Sequence, residues 1–535
     1  MLLTKAFSTR RGLAAVIVAA GVAGAVMLTP PAAGASGGGA VVWTDAGPVR
    51  GTVTEDSRTF QGIPFAAPPV GALRWRPPQP SPAWTQVRDA TRPGDRCAQA
   101  QNIGPASESE DCLYLNVATP RPGGRSRPRP VIMWMHGGGN AFGAGSDVDA
   151  RRLAVGGDVV VVTANYRLGV FGFLGHPLLR DSGAFGLEDQ QAALRWMRRN
   201  APAFGGDPGN VTLAGHSGGA FDTCAQLTSP SARGLFHRAI MESGSCSTSW
   251  PRNGVNPGTS AGSPWRPLAE AEAEGTALAT RLGCASPASQ VDCLRGIHVS
   301  QLLAATQSDD LPAVAFGNRI LPERPDQALA AGRFSRIPVM SGTTRDEQRL
   351  ATAFLPQAFT EEGYQQLLSD AFGDRAPEVA LRYPSSASGS SAVAWAAVAT
   401  DRVWSCTQLT ADRRLATRTP TYAYEFADRG APTQFPFPPG LPPGAYHASE
   451  LAYLFDLPGF VPAFTPAQQE LADQLIRYWG QFAATGDPNG VGSPTWPRFR
   501  SATAQSLAPD AIRQTNFADE HNCDFWATAS PPPRD

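Results

Sequence analysis

Gly215-His216-Ser217-Gly218-Gly219 follows directly on the apolar run Val211-Thr212-Leu213-Ala214. This is the form G-x-S-x-G at the end of a strand, with a helix-compatible stretch behind it. Such an elbow holds the serine in a strained backbone conformation and presents its oxygen to solvent. Glycines flank it because strand and helix approach too closely for a Cβ. Upstream, a second apolar run, Val131-Ile132-Met133-Trp134-Met135, leads into His136-Gly137-Gly138-Gly139. An H-G-G-G loop after a strand offers backbone N–H groups to an oxyanion. A nucleophilic serine and an oxyanion loop together point to acyl transfer.

A serine becomes nucleophilic at neutral pH only with a base beside it, and the base needs an acid to hold its tautomer. After an elbow of this kind the partners follow in the order serine, acid, histidine. Seven histidines compete for the role of base. His136 belongs to the oxyanion loop, and His176, His216 and His237 lie too near the sheet motifs to satisfy the order. His298 falls in an expected helix, Cys293–Ala305, and precedes the best acid candidates. His521 sits two residues from Cys523 at the C-terminal end, a poor place for a catalytic loop. His447, in the loop Gly444-Ala445-Tyr446-His447, is the choice. For the acid, the expected strand Pro338–Ser341 leads through Gly342-Thr343-Thr344-Arg345 to Asp346 and Glu347. Spacing alone leaves those two tied.

These groups must be positioned by a scaffold, and the chain reads as one. Short apolar runs at Val131–Met135, Val159–Ala164, Val211–Ala214, Ala239–Glu242, Pro338–Ser341 and Tyr422–Phe426 alternate with helical stretches. That pattern is an α/β fold with a large, mostly parallel central sheet flanked by helices. Leu187–Arg199 has helical spacing. Thr465-Pro466 opens another helix with a cap and a first-turn proline, and Gly486 stops it.

Composition bounds the rest. The chain has 535 residues, with 45 basic and 46 acidic side chains, and its only lysine is Lys5. A net charge of −1 gives no reason to expect nucleic acid as a partner. Residues 1–35 read as a cleaved signal peptide. They contain the basic residues Lys5, Arg10 and Arg11, the apolar stretch Gly12–Leu28 and the small-residue site Ala33-Gly34-Ala35. Thr9-Arg10-Arg11 leaves both the general secretory and the twin-arginine routes open. Residues 36–529 are expected to form one catalytic domain and 530–535 a disordered tail. No later run is long enough to span a bilayer, so no stable membrane insertion is expected. All eight cysteines lie beyond the signal peptide, an even number in an exported chain, and read as disulfides. No C-x-x-C pair exists, so no metal site is expected.

Taken with several further motifs, the chain resembles the type-B carboxylesterase/lipase family, the cholinesterase-like α/β-hydrolases. The motifs are Phe60-Gln61-Gly62-Ile63-Pro64-Phe65-Ala66, Glu110-Asp111-Cys112-Leu113-Tyr114-Leu115-Asn116, Asn165-Tyr166-Arg167 and Phe204-Gly205-Gly206-Asp207-Pro208. Glu242-Ser243-Gly244-Ser245, Tyr478-Trp479 and Thr485-Gly486-Asp487-Pro488-Asn489 complete the set. The resemblance implies an α/β-hydrolase fold and an enzyme that hydrolyses small-molecule carboxylic esters without a cofactor, and the leader at residues 1–35 makes the expected enzyme a secreted one. It implies Glu347 as the acid, His447 as the base, and Gly138, Gly139 and Gly218 as oxyanion donors, with Ser243 supporting the acid. It also implies the bridges Cys97–Cys112, Cys284–Cys293 and Cys406–Cys523. A lipase, polyester hydrolase or amidase on the same machinery is the alternative, and a non-catalytic adhesion protein a remoter one. Oligomeric state is not indicated.

The departures from the family carry expectations of their own. Asn140 follows the glycines where an aromatic residue is usual, which implies a less apolar pocket beside the oxyanion hole. His216 stands before the nucleophile where many members carry Glu. The Cys97–Cys112 loop is short and lacks tryptophan, so it provides neither the cation-stacking residue of cholinesterases nor a lipase lid. Cys224 and Cys246 have no partner in the family pattern. Cys224 lies on the helix leaving the elbow and Cys246 just after the strand Ala239–Glu242, so these neighbouring elements are expected to form a fourth bridge, Cys224–Cys246.

Overall fold

The computed structural model describes residues 40–123, 127–256, 258–307, 310–354, 359–509 and 511–528. The expected signal peptide and the expected tail lie outside these residues. Eleven strands form the central sheet: β1 (Thr52–Val53), β2 (Ser57–Pro64), β3 (Tyr114–Pro120), β4 (Arg129–Met135), β5 (Val160–Ala164) and β6 (Gly206–His216), then β7 (Arg238–Glu242), β8 (Val339–Thr344), β9 (Thr421–Phe426), β10 (Ala504–Leu507) and β11 (Arg513–Thr515). Their order across the sheet is β11-β10-β9-β8-β7-β6-β4-β5-β3-β2-β1. From β10 to β5 every pairing is parallel, and the outer pairings at both edges are antiparallel. The sheet is therefore mostly parallel, as an α/β-hydrolase requires.

The parallel strands read as continuous apolar runs because both of their faces are covered. Along β4, Val131, Met133 and Met135 enter one core, together with Val160, Val162, Val211, Leu213, Ala239 and Met241. Ile132 and Trp134 enter the other, with Val161, Ala214, Ile240, Met340, Tyr422 and Tyr424. Successive side chains of a strand point to opposite faces, so one run of sequence feeds both cores.

Three helices matter for the site. α1 (Phe185–Asn200) covers the first core, and α2 (Gly218–Thr228) leaves the end of β6. α3 (Pro466–Thr485) lies against the second core through Leu471, Leu475, Tyr478, Trp479 and Phe482. The start of α3 follows the expected chemistry: Thr465 accepts from the Gln468 N–H and the Gln468 side chain returns the bond. Gly486, at φ 82°, ends it. The single helix expected at Cys293–Ala305 is instead two, Gln290–Gly296 and Val299–Ala305. Ile297 turns extended between them, and the His298 side chain caps the second by accepting from the Ser300 N–H.

The structure contains four disulfides: Cys97–Cys112, Cys224–Cys246, Cys284–Cys293 and Cys406–Cys523. In Cys224–Cys246, which ties α2 to the segment after β7, the Cα atoms are 5.4 Å apart, within the ordinary span of a bridge.

Candidate active site

Ser217 stands at the junction of β6 and α2 with φ 55° and ψ −118°, a conformation in which a side chain is strained. The junction is tight. A Cβ on Gly215 would collide with the Gly219 carbonyl, and one on Gly219 with the Met135 carbonyl of the neighbouring strand. The Ser217 N–H donates to the Glu242 carbonyl at the end of β7 (2.8 Å), which anchors the elbow to the sheet.

Past the end of β8, Asp346 and Glu347 face in different directions. Glu347 is buried, and its Oε1 accepts the Thr344 N–H at 2.8 Å while Oε2 lies 2.5 Å from Nδ1 of His447. Asp346 pairs with the Arg429 guanidinium through both oxygens and with Arg349. It also accepts the Ala445 N–H at 3.1 Å and donates its own N–H to the Ala445 carbonyl. Asp346 thus secures the loop that carries His447, and Glu347 holds the ring.

With Nδ1 engaged by Glu347, Nε2 is the nitrogen of His447 left to serve a nucleophile. The ring lies between two others: the His216 ring is 4.7 Å away centroid to centroid and the Trp404 ring 4.8 Å. Because His216 adjoins Ser217, its contact with His447 brings base and elbow together. Trp404 donates its indole N–H to Gln348, and the Gln348 N–H donates to Thr400 Oγ1. Trp404 and Thr400 belong to a π-helical segment, Thr400–Ser405.

Behind Ser217, Glu347 and His447 lies a buried, weakly ionised layer. Burial, and then the neighbouring His447, push His216 well below the usual histidine range, so it stands as neutral imidazole. Its Nε2 is 3.6 Å from Glu450 Oε1. Burial, with Glu242 and Glu347 nearby, pushes Glu450 well above the carboxylate range. Burial likewise pushes Glu242 up to about 8, although it accepts the Trp479 indole N–H at 2.7 Å. The Ser243 hydroxyl, expected to support the acid, donates instead to Glu450 at 3.5 Å. Nothing in the sequence read alone pointed to Glu450 or Trp404.

The expected oxyanion loop begins at the end of β4. His136 stacks on Tyr166 with centroids 4.4 Å apart, and the Tyr166 hydroxyl donates to the His136 carbonyl. Burial pushes His136 down to about 4, so it acts as a neutral spacer. Gly138 and Gly139 follow at φ 102° and 58°, a path that brings their backbone to the N-terminus of α2. A Cβ on Gly218 would lie 2.7 Å from the Gly139 nitrogen and 3.1 Å from the Asn140 nitrogen. The backbone around the three expected donors is therefore in contact across two separate elements. Asn140 is itself buried, so its amide is turned into the protein. Leu311 packs over Gly139. Among the described residues no group of histidine, cysteine and carboxylate side chains is placed to hold a metal ion.

The arrangement is that of a serine hydrolase, and the wider comparisons agree with it. The sequence pattern of the Carboxylesterase family matches residues 39–526. The chain is 34% identical over 505 residues to the para-nitrobenzyl esterase of Bacillus subtilis (strain 168), covering 88% of this chain and 95% of that protein. It is also 34% identical over 491 residues to a cocaine esterase of Oryctolagus cuniculus, covering 85% of this chain and 89% of that one. A solved thermophilic PNB esterase superposes with a TM-score of 0.74 at 30% identity, across 91% of this chain and 99% of its own.

Proposed function

The chain belongs to the carboxylesterase family, and on that premise we propose that it is an exported serine esterase working through Ser217, Glu347 and His447 with an acyl-enzyme intermediate. Its substrates are small carboxylic esters. His447 Nε2 takes the proton of Ser217 as the hydroxyl attacks the ester carbonyl. The N–H groups of Gly138, Gly139 and Gly218 receive the oxyanion, at about 3 kcal/mol for each donor by comparison with other oxyanion holes. Glu347 keeps the Nδ1 proton on its own side and stabilises the imidazolium as it forms. His447 then returns its proton to the leaving alcohol, and a water attacks the acyl-enzyme with the same imidazole as base.

The observation that carries this reading is the Glu347–His447 contact of 2.5 Å, formed beside an elbow serine held at φ 55°. Neutral His216 supports it further: an uncharged neighbour does not oppose the charge that His447 acquires. Export is supported by the expected leader at residues 1–35 and by four disulfides. Among the described residues no helix is long and apolar enough to cross a membrane. The domain reading of 36–529 as one catalytic unit belongs to the same proposal.

The test is a panel of nitrophenyl esters of increasing acyl length, run beside triglyceride emulsion and amide controls. The wild type hydrolyses the short esters, and an organophosphate labels Ser217. Substantial turnover by purified, folded Ser217→Ala protein would overturn the assignment.

A further inference from the structure

Asn140 and Asp222 lie 82 positions apart, yet Asn140 Nδ2 donates to Asp222 Oδ1 at 3.1 Å. Both are buried, Asp222 completely. The other carboxylate oxygen, Oδ2, accepts Gln190 Nε2 from α1 at 2.5 Å. Asn140 is the residue directly after Gly139, and its own carbonyl accepts the Gly169 N–H at 2.7 Å. Asp222 is one helical turn beyond Gly218, so the two share a face of α2. That face meets the oxyanion loop at two heights: the Gly218 backbone against Gly139 and Asn140, and the Asp222 carboxylate against the Asn140 amide. The loop donors and the helix donor belong to different elements, and this hydrogen bond ties one to the other.

We propose that Asp222 is a positioning residue that sets the oxyanion hole by holding Asn140, and through it Gly139, in register with the Gly218 amide. The inference rests on the esterase reading given above. Asn140 suits the task because it sits at φ 63°, where asparagine and aspartate are tolerated better than other side chains. Its Oδ1 is buried without a partner among the described residues, so Nδ2 is the atom its amide uses. Oxyanion donors act on the transition state more than on bound substrate, so a displaced loop lowers kcat and leaves KM nearly unchanged.

The chemistry of the pair offers a test by exchange. Asn140→Asp sets two carboxylates against each other. Asn140→Asp with Asp222→Asn restores one hydrogen bond with donor and acceptor reversed, and the new amide oxygen still accepts Gln190. Asn140→Gly removes the link while keeping a backbone that accepts φ 63°, so it covers the case in which the charged variant fails to fold. Kinetics use a soluble nitrophenyl ester, with calorimetric Tm and affinity for a trifluoromethyl ketone whose adduct carries an oxyanion. Asn140→Asp and Asn140→Gly should each lower kcat about tenfold with KM within about twofold, and inhibitor affinity should fall in parallel. The exchanged pair should recover kcat to within about threefold of wild type. Single variants with unchanged kcat, a loss confined to KM or Tm, or an exchanged pair no better than Asn140→Asp would overturn the proposal. A wild type inactive on every ester would overturn the esterase reading and this inference with it. An active wild type with an unrescued pair overturns this inference alone.

Discussion

Glu347 holds His447 at two points: Oε2 lies 2.5 Å from the ring Nδ1, and the Glu347 carbonyl accepts the His447 amide N–H at 3.2 Å. Side chain and backbone of one residue thus fix both the ring and its loop.

Glu347→Gln keeps the backbone contact and the shape but offers an amide where the imidazole needs a carboxylate. By comparison with the aspartate of serine proteases, kcat should fall by about 10⁴. Asp346→Asn should cost little in kcat and show itself as lower stability, because Asp346 binds Arg429, Arg349 and the Ala445 amide rather than the ring. Steady-state kinetics of the two variants distinguish the roles, and a greater loss of kcat in Asp346→Asn would reverse them.

Cys224 and Cys246 are both fully buried and are separated by 22 positions. Replacing both with alanine frees a loop for which the chain-entropy estimate is about 3 kcal/mol. The expected result is a lower denaturant midpoint with turnover at 25 °C nearly unchanged. A matching fall in kcat would mean that the bridge also holds the elbow.

His521 is buried between two carboxylates, with Nδ1 2.6 Å from Asp401 and Nε2 2.5 Å from Glu425. Burial alone would lower its pKa from 6.5, but Asp401 and Glu425 outweigh that and push it up to about 10. The folded state therefore binds this proton more tightly than the unfolded chain. The stability this contributes is complete below about pH 6.5 and is lost as pH rises through about 10. Urea midpoints measured from pH 7 to 10.5 should fall in the wild type, and less steeply in His521→Gln, which starts from a lower value. Parallel curves would show that another group governs the alkaline limb.

The Cys97–Cys112 segment spans only 15 positions and is expected to form no lid. Activity toward short esters should pass through the substrate solubility limit without a jump. A sharp rise at that limit, measured with the same ester above and below saturation, would require a lid formed elsewhere.

Six of the seven parallel strands were legible because two buried faces make each a mostly apolar run, as in Val131–Met135; the seventh, Ala504–Leu507, carries Gln505 and Ser506 and has no such run. The outer antiparallel strands were not: Ser57–Pro64 mixes Ser, Arg, Thr and Gln with its apolar residues and has no such run. The elbow and the glycine loop after Met135 are local features and could be read directly. The Asp346/Glu347 tie could not be broken by spacing, since neighbouring residues in a turn differ only in the direction they face, and Arg429 and His447 decide that from far along the chain. Asn140 and Asp222 were likewise unreadable as a pair at a separation of 82 positions. His521 gave the opposite lesson. Its place near the C-terminal end made it a poor candidate for the base, and nothing there pointed to a buried ion pair; Cys406–Cys523 draws that end into the fold and buries it.

The same Cys406–Cys523 bridge closes 117 positions of chain, and His447 lies within them. So does the Pro-rich stretch Gln434–Pro443, much of it exposed. A protease that cuts there separates the peptide chain into two pieces but not the molecule, because the bridge still joins them across the cut. Cleaved protein should therefore run at full mass without reductant and resolve into two fragments with it. An esterase built this way can be nicked between Glu347 and His447 and still keep Ser217, Glu347 and His447 in one particle.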